Sequence, residues 1–345
     1  MPVIRRWKTG LRLWRIRLKP FTEPWTYRRP HVSSSCVKSQ PRQQLNMEIE
    51  DLRSVIKAAG GGSNALAYSE ELLAKISRIE STNSCNRLLA QFCAAREQGD
   101  FRGRTLEINF ADLFVQQSRA LVYAARQGMT GDIDFQCRIA DRDIFIEMKL
   151  LGQDRATRDA INLQLERCGS SSTLITDDTR DVRRIQSDLI QKASTRKFNP
   201  RPNPSWINLV AIDVTELQLG TIDICDCLIA AGGNTVASNY YESACLREEV
   251  VGVFEAPVVA NLTTSQQDWL THIKNLLNGA PHPRDYIHGA LFLFREPKEI
   301  AALSYDISAI VVWNPGLVTE DIARKICPTL HDIIPPAKIC SQKSH

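Results

Sequence analysis

Residues 131–151 read GDIDFQCRIADRDIFIEMKLL. β-Branched and aromatic residues dominate both halves, and a polar run lies between them, the pattern of a β-hairpin. The first strand opens at Asp132-Ile133-Asp134-Phe135. Ala140-Asp141-Arg142-Asp143 makes the turn, and Ile144 to Leu151 is the second strand. Side chains alternate along a strand, so Glu147 and Lys149 share one face while Ile146 and Met148 take the other.

This spacing has a chemical use. Carboxylates on neighbouring strands can share a hard divalent cation, which prefers oxygen ligands. A lysine two residues beyond the second acid projects to the same side, where it can orient a water or offset charge on a phosphate. An Asp, then about a dozen residues, then Glu-x-Lys in a hairpin resembles the PD-(D/E)xK nuclease superfamily, the restriction-endonuclease-like fold. The resemblance implies that Asp134, Glu147 and Lys149 take the three catalytic places. It implies Mg²⁺ or Mn²⁺ held by Asp134, Glu147 and the Met148 carbonyl. Asp132 lies on the same face of the strand and competes with Asp134 for the first place. Where that family has a proline before the acid, this chain has Thr130-Gly131.

A second acid-x-lysine, Glu296-Pro297-Lys298, fails on context. Its proline cannot donate to a sheet ladder. Its nearest upstream acid, Asp285, lies along the same run, too far away in an extended chain to share an ion.

Outward from the hairpin, residues 105–127 have Leu106, Phe110, Leu113, Phe114, Leu121 and Val122 at helical spacing and predict one helix leading into it. In the nuclease-like fold a preceding helix often donates a further acid, which makes Glu107 a candidate. The competing reading is a first-turn Glu favoured by the helix dipole. A helix from about Thr176 to Lys197 buries Val182, Ile185, Leu189 and Ala193. Gln191 and Lys192 are its candidates for supporting the site, against the plainer reading of a solvated face.

Residues 206–214 and 286–294 and the run 309–313 are near-continuous apolar stretches, as expected of strands buried on both faces. The apolar run 222–231 contains Cys225-Asp226-Cys227, whose alternation fits one strand face. Asp213 either nears a site or caps a turn. Helices are expected after Ser69, over 83–98, after a Thr263 or Thr264 cap, and from Thr319. Pro335-Pro336 starts a frayed tail. The fold expected is α/β, a mixed central sheet flanked by helices. Its parts are a basic arm at 1–45, a helical segment at 46–104 and a nuclease-like domain at 105–340.

Composition bounds the function. No apolar run is long enough to span a membrane. The ten cysteines include no Cys-x-x-Cys, so zinc has no ligand spacing, and buried thiols in a reducing cytoplasm are expected. Gly60-Gly61-Gly62-Ser63 lacks the Gly-Lys-Ser/Thr of a phosphate loop. No Gly-x-Ser-x-Gly occurs, and no Cys-His pattern points to a nucleophile. Residues 1–45 hold eleven Lys and Arg against Glu23 alone, a local charge of +10. Taken from the total of +4, this leaves −6 on the rest. The segment reads as a nucleic-acid or membrane-surface arm, a transit peptide, or an extension ahead of Met47.

The leading expectation is a Mg²⁺-dependent phosphodiester hydrolase acting on DNA. The alternative is a non-catalytic binding or scaffold protein on the same fold. A third reading gives nucleic-acid binding to the basic arm and leaves the body as an interaction module.

Overall fold

The hairpin forms, with a tighter turn than the sequence predicts. Strand β2 (Ile133–Ile139) and strand β3 (Arg142–Leu150) pair antiparallel with Ile139 opposite Arg142. Only Ala140 and Asp141 lie between them, at φ +49° and +62°. Two positive φ angles at a two-residue loop give the primed turn whose twist matches paired strands.

The computed structural model describes residues 69–337 apart from 96–97, 128–130, 153–162, 164–177, 196, 202, 216, 218–221, 241–246, 248, 257–261 and 296–305. The basic arm, residues 46–68 of the helical segment with the 60–63 run, and the 296–298 match lie outside the described residues. Residues 45–345 form one unit.

Among the described residues, seven α-helices and six strands make an α/β fold. Helices α1 (Ser69–Thr82), α2 (Asn86–Ala94) and α3 (Gln98–Gln116) come first. Strand β1 (Leu121–Ala125) leads into the hairpin. Helix α4 (Asp178–Ser194) then returns the chain to β4 (Trp206–Asp213). Helices α5 (Ile224–Ala237) and α6 (Thr264–Leu277) precede β5 (Gly289–Arg295) and β6 (Ile307–Trp313). Helix α7 (Glu320–Ile333) follows. Spatial strand order equals chain order. β1, β2 and β3 form an antiparallel meander, β3–β4 and β4–β5 are parallel, and β5–β6 is antiparallel.

Helices cover both faces of the sheet. Ile144, Ile146, Met148, Leu209 and Leu291 pack with Leu72, Leu88, Phe110 and Leu330 of α1, α2, α3 and α7. Phe145, Val210, Ile212 and Phe292 pack with Val182, Ile185, Leu228 and Ile273 of α4, α5 and α6. The parity of β3 therefore aims Glu147 and Lys149 at the α4 layer.

Four expectations change. The helix predicted over 105–127 runs over 98–116 and is followed by a strand. Ser118 takes a left-handed φ of +52°, and the Arg119 N–H reaches back to the Phe114 carbonyl at 2.9 Å. That closes the helix as a glycine cap would, without a glycine to mark it. Glu107 is consequently a mid-helix residue, so the helix-dipole reading of it falls. Cys225 and Cys227 sit in the first turn of α5 and not on a strand face, where Asp223 and Asp226 form a capping box. Finally, Pro335-Pro336 is no frayed tail: Ala309 donates to the Pro335 carbonyl and accepts from the Ala337 N–H, covering the outer edge of β6.

Helix α5 kinks at Gly233, whose φ is +77°. The N–H groups of Val253 and Phe254 take the Ala230 and Ala231 carbonyls, and Gln186 donates to the carbonyls of Ala230 and Val251. A Cβ on Gly252 would lie 2.1 Å from the Gly233 nitrogen, so only glycine fits this approach. Gln186 is thus a structural tie between α4 and α5.

Candidate active site

Phe135 pairs with Ile146. One step along that register sets Asp134 opposite Glu147, and directly opposed residues of an antiparallel pair share a face. The structure brings the two carboxylates together. Asp134 Oδ2 also accepts from the Met148 N–H at 2.7 Å, which ties it to the next strand. Burial first, then the charges of Glu147 and Glu107, push the Asp134 carboxyl up to about 7, against the pull of the Met148 N–H and the Lys192 ammonium.

Glu147 is wholly buried. Lys192 Nζ lies 2.8 Å and Lys197 Nζ 2.6 Å from its Oε1. Its Oε2 is buried with no hydrogen-bond partner. A buried carboxylate is tolerated when it is paired, and here one oxygen is paired twice while the other is bare. Lys192 is central to the acids. Burial pulls its ammonium down, but Glu147, Asp134 and Glu107 together raise it.

Glu107 reaches the group from α3. Arg104 Nη1 donates to its Oε1 at 2.9 Å and its Oε2 at 2.7 Å. The Tyr123 hydroxyl lies 2.9 Å from Oε2 and 2.7 Å from Gln91 Oε1. Burial raises the Glu107 carboxyl, opposed by Arg104, Tyr123 and Lys192. Burial and the Glu107 charge raise the Tyr123 phenol too, so it remains a donor.

Lys149 shares the Glu147 face, yet its Nζ is paired with Asp188 Oδ1 of α4 at 2.8 Å. Asp132, the other candidate for the first acid, is engaged by Arg87 and by Arg126 Nε, whose hydrogen bonds hold its carboxyl below the usual range. The geometry thus separates the two aspartates, with Asp134 facing Glu147 and Asp132 taken up by arginines. Gln191 is exposed and has no bond to the acids among the described contacts. Asp213 accepts from the Thr215 N–H at 2.9 Å and faces Arg295 Nε at 3.2 Å, so it belongs to a turn and a strand-to-strand pair.

Arg104, Lys197, Tyr123 and Asp188 were not singled out from sequence. Lys197, beyond the end of α4, carries no pattern of its own. Tyr123 was hidden by the reading of β1 as helix. Asp188 had a usable signal: Asp188 and Lys192 are four apart on α4, which matches the two-residue spacing of Lys149 and Glu147 in opposite order.

Among the described residues no three His, Cys, Asp or Glu side chains gather tightly enough to hold a metal by themselves. No helix among them is long and apolar enough to cross a membrane. No protein-family model, curated protein or solved structure matches the chain.

Proposed function

We propose that the chain is a metal-dependent phosphodiester hydrolase acting on DNA, with a site of the PD-(D/E)xK type. The observation that carries this reading is Glu147: fully buried, opposite Asp134, with Oε2 bare and Oε1 held by two ammonium groups. An unbonded buried carboxylate oxygen costs about 1–3 kcal/mol or more, and a cation would satisfy it. The order of α3, three antiparallel strands, α4 and parallel β4 supports a restriction-endonuclease-like core.

Asp134 and Glu147 would hold the ion, joined by the Met148 carbonyl, and an all-oxygen set suits Mg²⁺ or Mn²⁺. When bound, the ion supplies a Lewis acid and makes its water a stronger nucleophile. Lys149, oriented by Asp188, places the attacking water. Lys192 offsets negative charge that develops on the phosphate. Arg104 and Tyr123 hold Glu107 in place beside Asp134.

Incubation of supercoiled plasmid with the protein and Mg²⁺ tests this. The wild type is expected to nick or linearise it. Glu147→Ala and Lys149→Ala are each expected to slow cleavage at least ~10²-fold. Retained activity in either variant overturns the assignment. The second reading, a non-catalytic binding protein on this fold, draws on the same lysine pairs, since Glu147 is already countered in the absence of metal. An intact fold that takes up neither Mg²⁺ nor Mn²⁺ would favour it.

A further inference from the structure

Counted as ionised, Glu107, Asp134 and Glu147 carry three negative charges. Arg104, Lys192 and Lys197 carry three positive ones, each in contact with Glu107 or Glu147. The cluster is balanced without a metal, and a divalent ion added to it would leave two positive charges in excess. In a buried site such an excess is costly, because the interior screens charge poorly.

We propose that Lys197 is a built-in stand-in for the cation, which occupies Glu147 Oε1 in the metal-free protein and is released when a divalent ion enters. This rests on the divalent site proposed above. Lys192 and Lys197 both touch the same oxygen, but their settings differ. Lys192 projects from α4 and also feels the charges of Asp134 and Glu107. Lys197 lies past the end of the helix at Ser194. No other carboxylate lies within ion-pair distance of it among the described contacts. Its side-chain carbons run 3.8–4.0 Å from where a Cβ on Gly131 would lie, so its stem rests against a residue without a side chain. The neighbouring Phe198 is buried and anchors the segment. A long, flexible stem on an anchored backbone lets the ammonium swing away without moving the fold.

The test uses the full chain and Mn²⁺. Lysines are acylated with an amine-reactive ester with and without saturating Mn²⁺, and the modified positions are read by peptide mass spectrometry. Lys197 is expected to react several-fold faster with Mn²⁺ present, while Lys192 remains protected in both states. In a calorimetric titration Lys197→Met is expected to bind Mn²⁺ on the order of tenfold more tightly than the wild type, the equivalent of ~1.4 kcal/mol. Lys197→Arg separates loss of charge from loss of the ammonium group and is expected to bind no more tightly than the wild type. If Mn²⁺ binds but leaves Lys197 reactivity unchanged, the stand-in role is overturned and the metal site survives. If wild type and Lys197→Met both bind no Mn²⁺ while folded, the divalent site itself is overturned and this inference goes with it.

Discussion

Asp134 differs from an ordinary surface aspartate because burial and two neighbouring acids raise its carboxyl to about 7. An unfolded-chain aspartate titrates near ~3.9. The folded protein therefore holds this proton more tightly than the unfolded chain. The Asp134 contribution to stability is therefore fully present below pH ~4 and is lost as pH rises to about 7. The penalty above neutral pH is at most ~4 kcal/mol. Asp134→Asn removes it and keeps an oxygen for the Met148 N–H. Urea unfolding of the metal-free protein should show the variant gaining on the wild type between pH 5 and pH 8. A difference that does not change with pH would contradict the partly buried, acid-crowded setting of Asp134.

The match between β3 and α4 is an element-scale feature. Residues two apart on a strand are spaced by ~6.6 Å, and residues four apart on a helix by ~6 Å. The Glu147-x-Lys149 pair can therefore face Lys192 and Asp188 with every charge opposed to its complement. On the proposed function, this arrangement would make Asp188 a positioning residue for Lys149. Asp188→Asn should slow Mg²⁺-dependent cleavage by ~10-fold or more, the usual cost of removing an outer partner. Mn²⁺ affinity should stay close to that of the wild type, because Asp134 and Glu147 are untouched. A matching loss of metal affinity would show that Asp188 acts on the site in another way.

The same scale explains what sequence could and could not give. The hairpin was legible because β2 alternates, β3 is rich in β-branched and aromatic residues and the turn between them is polar, and β4 because it is apolar on both faces. Helices α1, α4 and α6 were legible from their single apolar stripes, and α6 also from its Thr263–Gln266 capping box. Strand β1 was not, since a left-handed serine ends α3 where no glycine or proline announces it. Helix α5 was not, because Cys225 to Gly233 are buried all round and leave no polar stripe to set a helical period. At the site, the two acids and Lys149 followed from the alternation of the hairpin. Lys197 and the Arg104–Glu107–Tyr123 ties depend on tertiary approach, which spacing along the chain does not encode.

At the scale of the molecule, two helical layers enclose a sheet whose α4 face carries the acid and lysine group. Helices on both faces keep water from the strands, so charges here act at low screening and each must be matched. Residues 46–345 carry −6 overall, and attraction to a phosphate backbone would come from local groups such as Lys192 and Lys197. Asp134 and Glu147 are proposed to form one divalent-cation site. This is tested most directly by calorimetric titration of Mn²⁺ into the wild type, Asp134→Ala and Glu147→Ala, with circular dichroism confirming that each is folded. One ion per wild-type chain is expected, and none in either folded variant. Undiminished Mn²⁺ binding by folded Glu147→Ala would contradict it.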